Sequence, residues 1–249
     1  MLYLYSNISG MKTIGLIGGI TWLSTLDYYR LLNEKINERL GGVEAGKIIL
    51  YSVNFAEIKK LTEEGRWDEM AKLMTDAAKK LEQAGADCIL IGANTMHKIA
   101  NEIQQGITIP LIHIAEATAK QIKKQELQTV ALLGTKYTMQ LDFYKNKLAA
   151  EGIAAIIPDE DEIEMINTAI YTEMGKGVFL PDTKQKFLTI IDKLISRGAE
   201  GVILGCTEIP ILIKQKDCEV PVFDTTQIHA DAAVEFALAE QTTLARNYL

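Results

Sequence analysis

The sequence predicts an α/β fold of two similar lobes, each a parallel sheet flanked by helices. A pseudo-two-fold axis relates the lobes, and the active site is expected in the cleft between them. Two observations carry this prediction. Short β-rich apolar runs alternate with stretches of helical periodicity, the pattern of strands joined by crossover helices. The second half of the chain then repeats the first, loops included.

Residues 13–17 read as the first strand, ending at Gly18-Gly19, and residues 24–40 as the helix that follows. Residues 48–53 form the second strand, ending at Asn54. Apolar residues at helical spacing over 69–84 stop at Gly85, a helix-ending signal. Residues 88–91 are the third strand and residues 109–112, after a turn at Gly106, the fourth. In the second half, strands are expected at 129–133, 154–157, 202–204 and 220–223, with helices over 140–150, 182–196 and 226–239. The lobes should comprise 11–115 with 226–249, and 116–225. Residues 1–10 read as a flexible N-terminal extension.

The repeat has nearly constant spacing. Gly85-Ala86-Asp87-Cys88-Ile89-Leu90-Ile91-Gly92-Ala93 aligns with Gly198-Ala199-Glu200-Gly201-Val202-Ile203-Leu204-Gly205-Cys206 at an offset of 113. Thr13–Gly18 aligns with Thr129–Gly134 at 116, Asp27–Arg30 with Asp142–Lys145 at 115, and Ile109–Leu111 with Val220–Val222 at 111. Shared apolar strands and glycine stops alone would match any two βα units. The match extends into loops, where coincidence is less expected. Ligands of open parallel sheets sit beyond the carboxyl ends of the strands. Ala93 and Cys206 occupy equivalent positions there, so a substrate in the cleft would face Ala93 on one side and Cys206 on the other.

The composition narrows the partners. The 249 residues suffice for two small lobes and a sizeable core. A formal net charge of −7 and the absence of a basic stripe argue against nucleic acid. A small amino acid or dicarboxylate remains open, since a few local donors hold one carboxylate. The three cysteines Cys88, Cys206 and Cys218 are too few, and odd in number, for a disulfide framework. They suit a reducing cytoplasm, where a free thiol can serve catalysis. No apolar run approaches the roughly 18 residues that span a membrane, and no signal peptide is recognisable.

The chemistry concentrates in Gly205-Cys206-Thr207-Glu208-Ile209-Pro210. Gly205 allows close approach of a ligand, and Pro210 suits an early helical position. Backbone donors and the helix field there favour a substrate carboxylate and should lower the pKa of Cys206. A buried cysteine acting as a small hydrophobe is the competing reading. In Gly92-Ala93-Asn94-Thr95-Met96-His97, Asn94 and Thr95 can hold substrate, although helix capping would also account for them. Gly19, Thr21 and Thr135 end the first strand of each half and can present donors to an anion. Lys176, on a glycine-flanked loop, can reach a second carboxylate or simply be solvated. The glycines do not fit a dinucleotide fingerprint. His97, His113 and His229 lie far apart in sequence with no ligand-spaced partner, so no metal site is expected. Nothing marks a pyridoxal-phosphate lysine.

Together these motifs resemble the aspartate/glutamate racemase family over residues 11–239. The carriers are Gly18-Gly19-Ile20-Thr21-Trp22 with Ser24-Thr25 and Tyr28-Tyr29, Asn94-Thr95-Met96-His97, Gly205 to Pro210, and Val220 to Thr226 with His229-Ala230. The resemblance implies two lobes around a cleft, a homodimer, and stereoinversion of aspartate, glutamate or a similar amino acid without cofactor or metal. One cysteine removes the Cα proton and a second reprotonates the opposite face. Cys206 is then the second catalytic cysteine, with Asn94, Thr95 and Thr207 as substrate holders joined by Gly19, Thr21, Thr135, Asn54 and Lys176. Ala93 stands where the first cysteine belongs, so two-thiol catalysis is impossible here. Cys88, five residues earlier within a strand, does not replace it. Two alternatives stay open: a single-thiol decarboxylase or diacid isomerase of the same fold, and a non-catalytic amino-acid-binding relative.

Overall fold

The computed structural model describes residues 10–246, with side chains described to residue 239. The predicted N-terminal extension, apart from Gly10, lies outside the described residues, as do residues 247–249. In chain order the elements are β1 (Ile14–Gly18), α1 (Trp22–Leu40), β2 (Ile48–Ser52), α2 (Phe55–Glu63), α3 (Trp67–Gln83), β3 (Cys88–Ile91), α4 (Ala100–Gln105) and α5 (Ile114–Lys123). Then follow β4 (Thr129–Gly134), α6 (Lys136–Gln140), α7 (Asp142–Ala149), β5 (Ala154–Ile156), α8 (Glu160–Thr172), α9 (Pro181–Ser196), β6 (Val202–Gly205), α10 (Ile209–Leu212), β7 (Val222–Asp224) and α11 (Thr225–Arg246). Both sheets are parallel, ordered β2-β1-β3 and β5-β4-β6-β7. The first strand of each half is flanked by its second and third, so the repeat in sequence is a repeat in topology.

Strand periodicity decides how each sheet is covered. Ile17, Ile89 and Ile91 point to one face of the first sheet, where Ile58 of α2 and Met70, Met74, Ala77 and Leu81 of α3 pack. Leu16, Cys88 and Leu90 point to the other, against Tyr28, Leu32 and Ile36 of α1 and Ala230, Ala233 and Val234 of α11. The second sheet is covered alike. Leu133, Val202 and Leu204 meet Ile166 and Ile170 of α8 and Phe187 and Ile191 of α9. Val130, Leu132 and Ile203 meet Ala115, Ala119 and Ile122 of α5 and Tyr144 of α7. The last helix of each half therefore crosses over: α5 packs on the second sheet and α11 on the first.

The structure departs from the sequence reading in three places. Residues 109–112 form an isolated bridge, Ile89 to Leu111, rather than a strand. Pro110 offers only its carbonyl, which accepts from the amide of Ile89, and His113 caps α5 immediately afterwards. The helix expected over 140–150 is α7, and an unexpected short helix, α6, precedes it, because Leu141 is extended with ψ of 152° between the two. Helices α2, α5 and α8 were not expected. Local signals for two of them exist: Asn54 caps α2, and Asp159 with Glu162 forms a capping box before the apolar face of α8.

Candidate active site

A cleft of about 700 Å³, counted out to its open mouth, lies where the carboxyl ends of the two sheets meet. Ala93 and Asn94 after β3, and Cys206 to Glu208 after β6, line it together. The duplication thus brings the two equivalent strand ends to one cavity.

On the β6 side, the thiol of Cys206 donates to Oε2 of Glu208 at 2.9 Å. The same oxygen accepts from the Thr207 hydroxyl at 2.8 Å, and Oε1 accepts from Thr21 of the opposite lobe at 3.4 Å. Burial, and then the Glu208 charge, hold the Cys206 thiol well above its ordinary pKa. This overturns the expected lowering. The helix that follows, α10, has four residues and starts beyond Glu208, so its dipole is small, and the nearest full charge is negative. Gly205 lines the cleft. A Cβ there would come within 2.7 Å of the Leu133 carbonyl, so the glycine also admits strand β4.

On the β3 side, Asn94 and Thr95 enter a 3₁₀ turn, Thr95–Ile99, and Asn94 makes no capping bond. Its Nδ2 instead donates to the Thr225 hydroxyl at 3.1 Å, while its Oδ1 is buried without a partner. An unpaired buried acceptor costs about 1–3 kcal/mol, a cost that a ligand's donor would remove. The hydroxyls of Thr95 and Thr135 lie 2.9 Å apart, and both sit near Thr138. Thr135 also caps α6. Thr95 and Thr135 line the cleft from opposite lobes.

Three expected substrate holders do not line the cleft. Asn54 is exposed and spends its side chain capping α2, accepting from Ala56 at 3.1 Å. Lys176 is exposed on its loop. The Gly19 amide donates to Thr25 at 2.7 Å, and a Cβ at its φ of 86° would collide with Val53. Gly19 is needed for that turn, not for an anion. Sequence reasoning had quoted Glu208 within its motif but assigned it no role. Its signal was the two-residue spacing from Cys206. Tyr171 of α8 also lines the cleft, with its hydroxyl pKa raised chiefly by burial.

The histidines, distant in sequence, meet behind the β3 strand end. The ring of His97 lies 4.8 Å from His113 and 5.4 Å from His229. Nδ1 of His97 donates to the Ala93 carbonyl at 2.9 Å. His229 bridges the Tyr28 hydroxyl at 2.8 Å and the Ile112 carbonyl at 2.7 Å. Burial lowers all three, to about 4 for His97, about 2 for His113 and about 3 for His229. All three are neutral rings, and His97 braces the Ala93 turn. Among the described residues no three His, Cys, Asp or Glu side chains gather as a metal site.

A family model for Asp/Glu/hydantoin racemases matches residues 17–233. The chain belongs to that family. It is therefore an amino-acid racemase, an isomerase whose ligands are small amino acids. This racemase is 31% identical over 175 residues to the broad specificity amino-acid racemase RacX of Bacillus subtilis, covering 70% of this chain and 75% of that one. A Yersinia pestis protein proposed as an Asp/Glu racemase has a solved structure that superposes with a TM-score of 0.87. The two are 46% identical, over 92% of this chain and 100% of that one. An aspartate racemase homologue from Pyrococcus horikoshii follows, with a TM-score of 0.80 and 40% identity over 91% and 99% of the two chains. No described helix of this racemase is long and apolar enough to cross a membrane.

Proposed function

We propose that this racemase inverts α-amino acids without a cofactor, using Cys206 and Glu208 as a coupled acid/base pair on one face of Cα. The observation that carries this reading is the thiol-to-carboxylate hydrogen bond of 2.9 Å, placed in the cleft between the two sheets.

The resting pair holds one proton, on sulfur. Asn94 Oδ1 suits the substrate ammonium, and the hydroxyls of Thr95 and Thr135 suit its carboxylate. A bound ammonium beside the site adds positive charge and reduces the cost of forming thiolate. The thiol proton then passes to Glu208, and the thiolate removes the Cα proton. The developing negative charge spreads into the substrate carboxylate, where the hydroxyls stabilise it. Water protonates the other face of Cα and becomes hydroxide; the thiol loses its captured proton to that hydroxide through solvent, and Glu208 returns its proton to sulfur, restoring the pair. Ala93 has no proton to give, so solvent admitted over its methyl group supplies that face. The reaction should therefore be slow and unequal in its two directions.

The test is solvent exchange. In deuterium oxide, deuterium should enter Cα with retention first and inversion later, because the thiol face is served faster. Cys206→Ala should lose exchange by about 10²–10⁴-fold. An intact rate in that variant sinks the mechanism. Release of carbon dioxide or an alkene would instead place the protein in a different reaction class.

A further inference from the structure

The edge of the cleft carries an aromatic contact between the lobes that the proton chemistry does not use. Tyr137 of α6 belongs to the second lobe. Its hydroxyl donates to the carbonyl of Thr62, near the end of α2 in the first lobe, at 3.3 Å. Its ring meets Trp67, at the start of α3, edge to face with centroids 5.7 Å apart. Lys59, Thr62 and Tyr171 line the cleft and also a second hollow of about 720 Å³ beside it, whereas Tyr137 lines the second hollow alone. The two hollows share a wall, and Tyr137 bridges the lobes at the outer one.

Opening this contact costs little. The Thr62 carbonyl also accepts from the Gly65 amide at 3.2 Å. Tyr137 is half-buried, so water can take its hydroxyl. Neither polar group is left unpaired when the lobes part. The contact is also tied to the site. Tyr137 follows Thr135 by two residues, on the helix that Thr135 caps. Nζ of Lys98 lies 4.4 Å over the Trp67 ring, and Lys98 belongs to the turn that carries Thr95. Seating Tyr137 therefore helps to fix the Thr95 and Thr135 hydroxyls at their 2.9 Å separation across the cleft. We infer that the outer hollow is the entrance to the cleft and that Tyr137 is its latch, a positioning residue that seats on Thr62 and Trp67 to bring Thr135 against Thr95 around a bound amino acid. The part played by those hydroxyls rests on the racemase reading above.

The full chain tests this through its own fluorescence. It holds two tryptophans, Trp22 and Trp67, and Trp22 is 64% exposed on α1, outside the cleft lining. In a Trp22→Phe chain, alanine, methionine, aspartate and glutamate are each followed for mass gain at Cα in deuterium oxide and for their effect on Trp67 emission. Emission should shift to the blue with every amino acid that exchanges, at concentrations that match its KM. A latch closed for only part of the time lowers apparent affinity by the closed fraction. Tyr137→Phe keeps the ring and should raise KM about threefold. Tyr137→Ala should raise it about tenfold or more and abolish the emission shift, with kcat within about twofold in both variants. A residue that only supported the fold would lower kcat with the amount of active protein and leave KM unchanged. That result, or Trp67 emission unmoved by an amino acid that exchanges, overturns the latch and leaves the racemase reading intact. Exchange with none of the four overturns the racemase reading and the latch with it.

Discussion

After β6 the chain presents Cys206, with its thiol held by Glu208; after β3, at the matching position, it presents Ala93, with its carbonyl held by His97. The two ends descend from one pattern and share a strand and a turn. What differs is the charge behind the turn. The β6 end is backed by the Glu208 side chain, which accepts a hydrogen bond from the thiol. The β3 end is backed by three neutral imidazoles, which hold position and carry no charge at neutral pH. A duplicated frame can therefore keep its strand and turn while the groups behind the two turns differ.

Breaking the charged end should have the largest effect. Glu208→Gln removes the acceptor for the thiol proton and should lower kcat by about 100-fold. It also removes a negative charge that raises the Cys206 pKa, so the thiolate should form at lower pH. Alkylation of Cys206 should speed up at a given pH while turnover slows. If both slow together, Glu208 is only a packing residue.

Making the two ends alike is the next test. Ala93→Cys restores a thiol on the empty face and should raise inversion by about tenfold, with forward and reverse rates drawing closer. An unchanged rate would mean that a second proton carrier already serves that face.

The imidazole end predicts a pH effect on stability. The pKa values of His97, His113 and His229 are depressed in the fold, so the unfolded chain binds more protons below about 6.5. Stability should be complete above that pH and fall as the pH drops from 6.5 toward 4, by up to roughly 1–2 kcal/mol per imidazole at pH 5. Thermal unfolding at pH 7.5 and 5 measures it. A melting temperature that does not change would show that the rings are solvated in solution. The smallest effects belong off the cleft. Asn54→Ala should cost about 1 kcal/mol through its lost cap, and Lys176→Ala almost nothing, with kinetics unchanged in both. A large rise in KM for either would place it back in the site.

The sequence by itself determined the α/β class, the duplication, and the placing of Ala93 and Cys206 at matching strand ends. Strand periodicity, glycine stops and constant offsets are local or one-dimensional signals, and they survive without knowledge of packing. The pairing of Ala93 with Cys206 across the cleft followed from the offset of 113. The tertiary structure decided the rest. Asn54 and Lys176 looked like ligand holders by residue type, yet a cap and a solvent-facing loop take them off the cleft. The histidines became a cluster because the bridge at Leu111 and the crossover into α11 bring three distant segments together. Most of all, the thiol at Cys206 was expected to be acidic because a helix follows it. The sign of its shift depends on which charge lies nearest in space, and the fold places Glu208 there, 2.9 Å from sulfur.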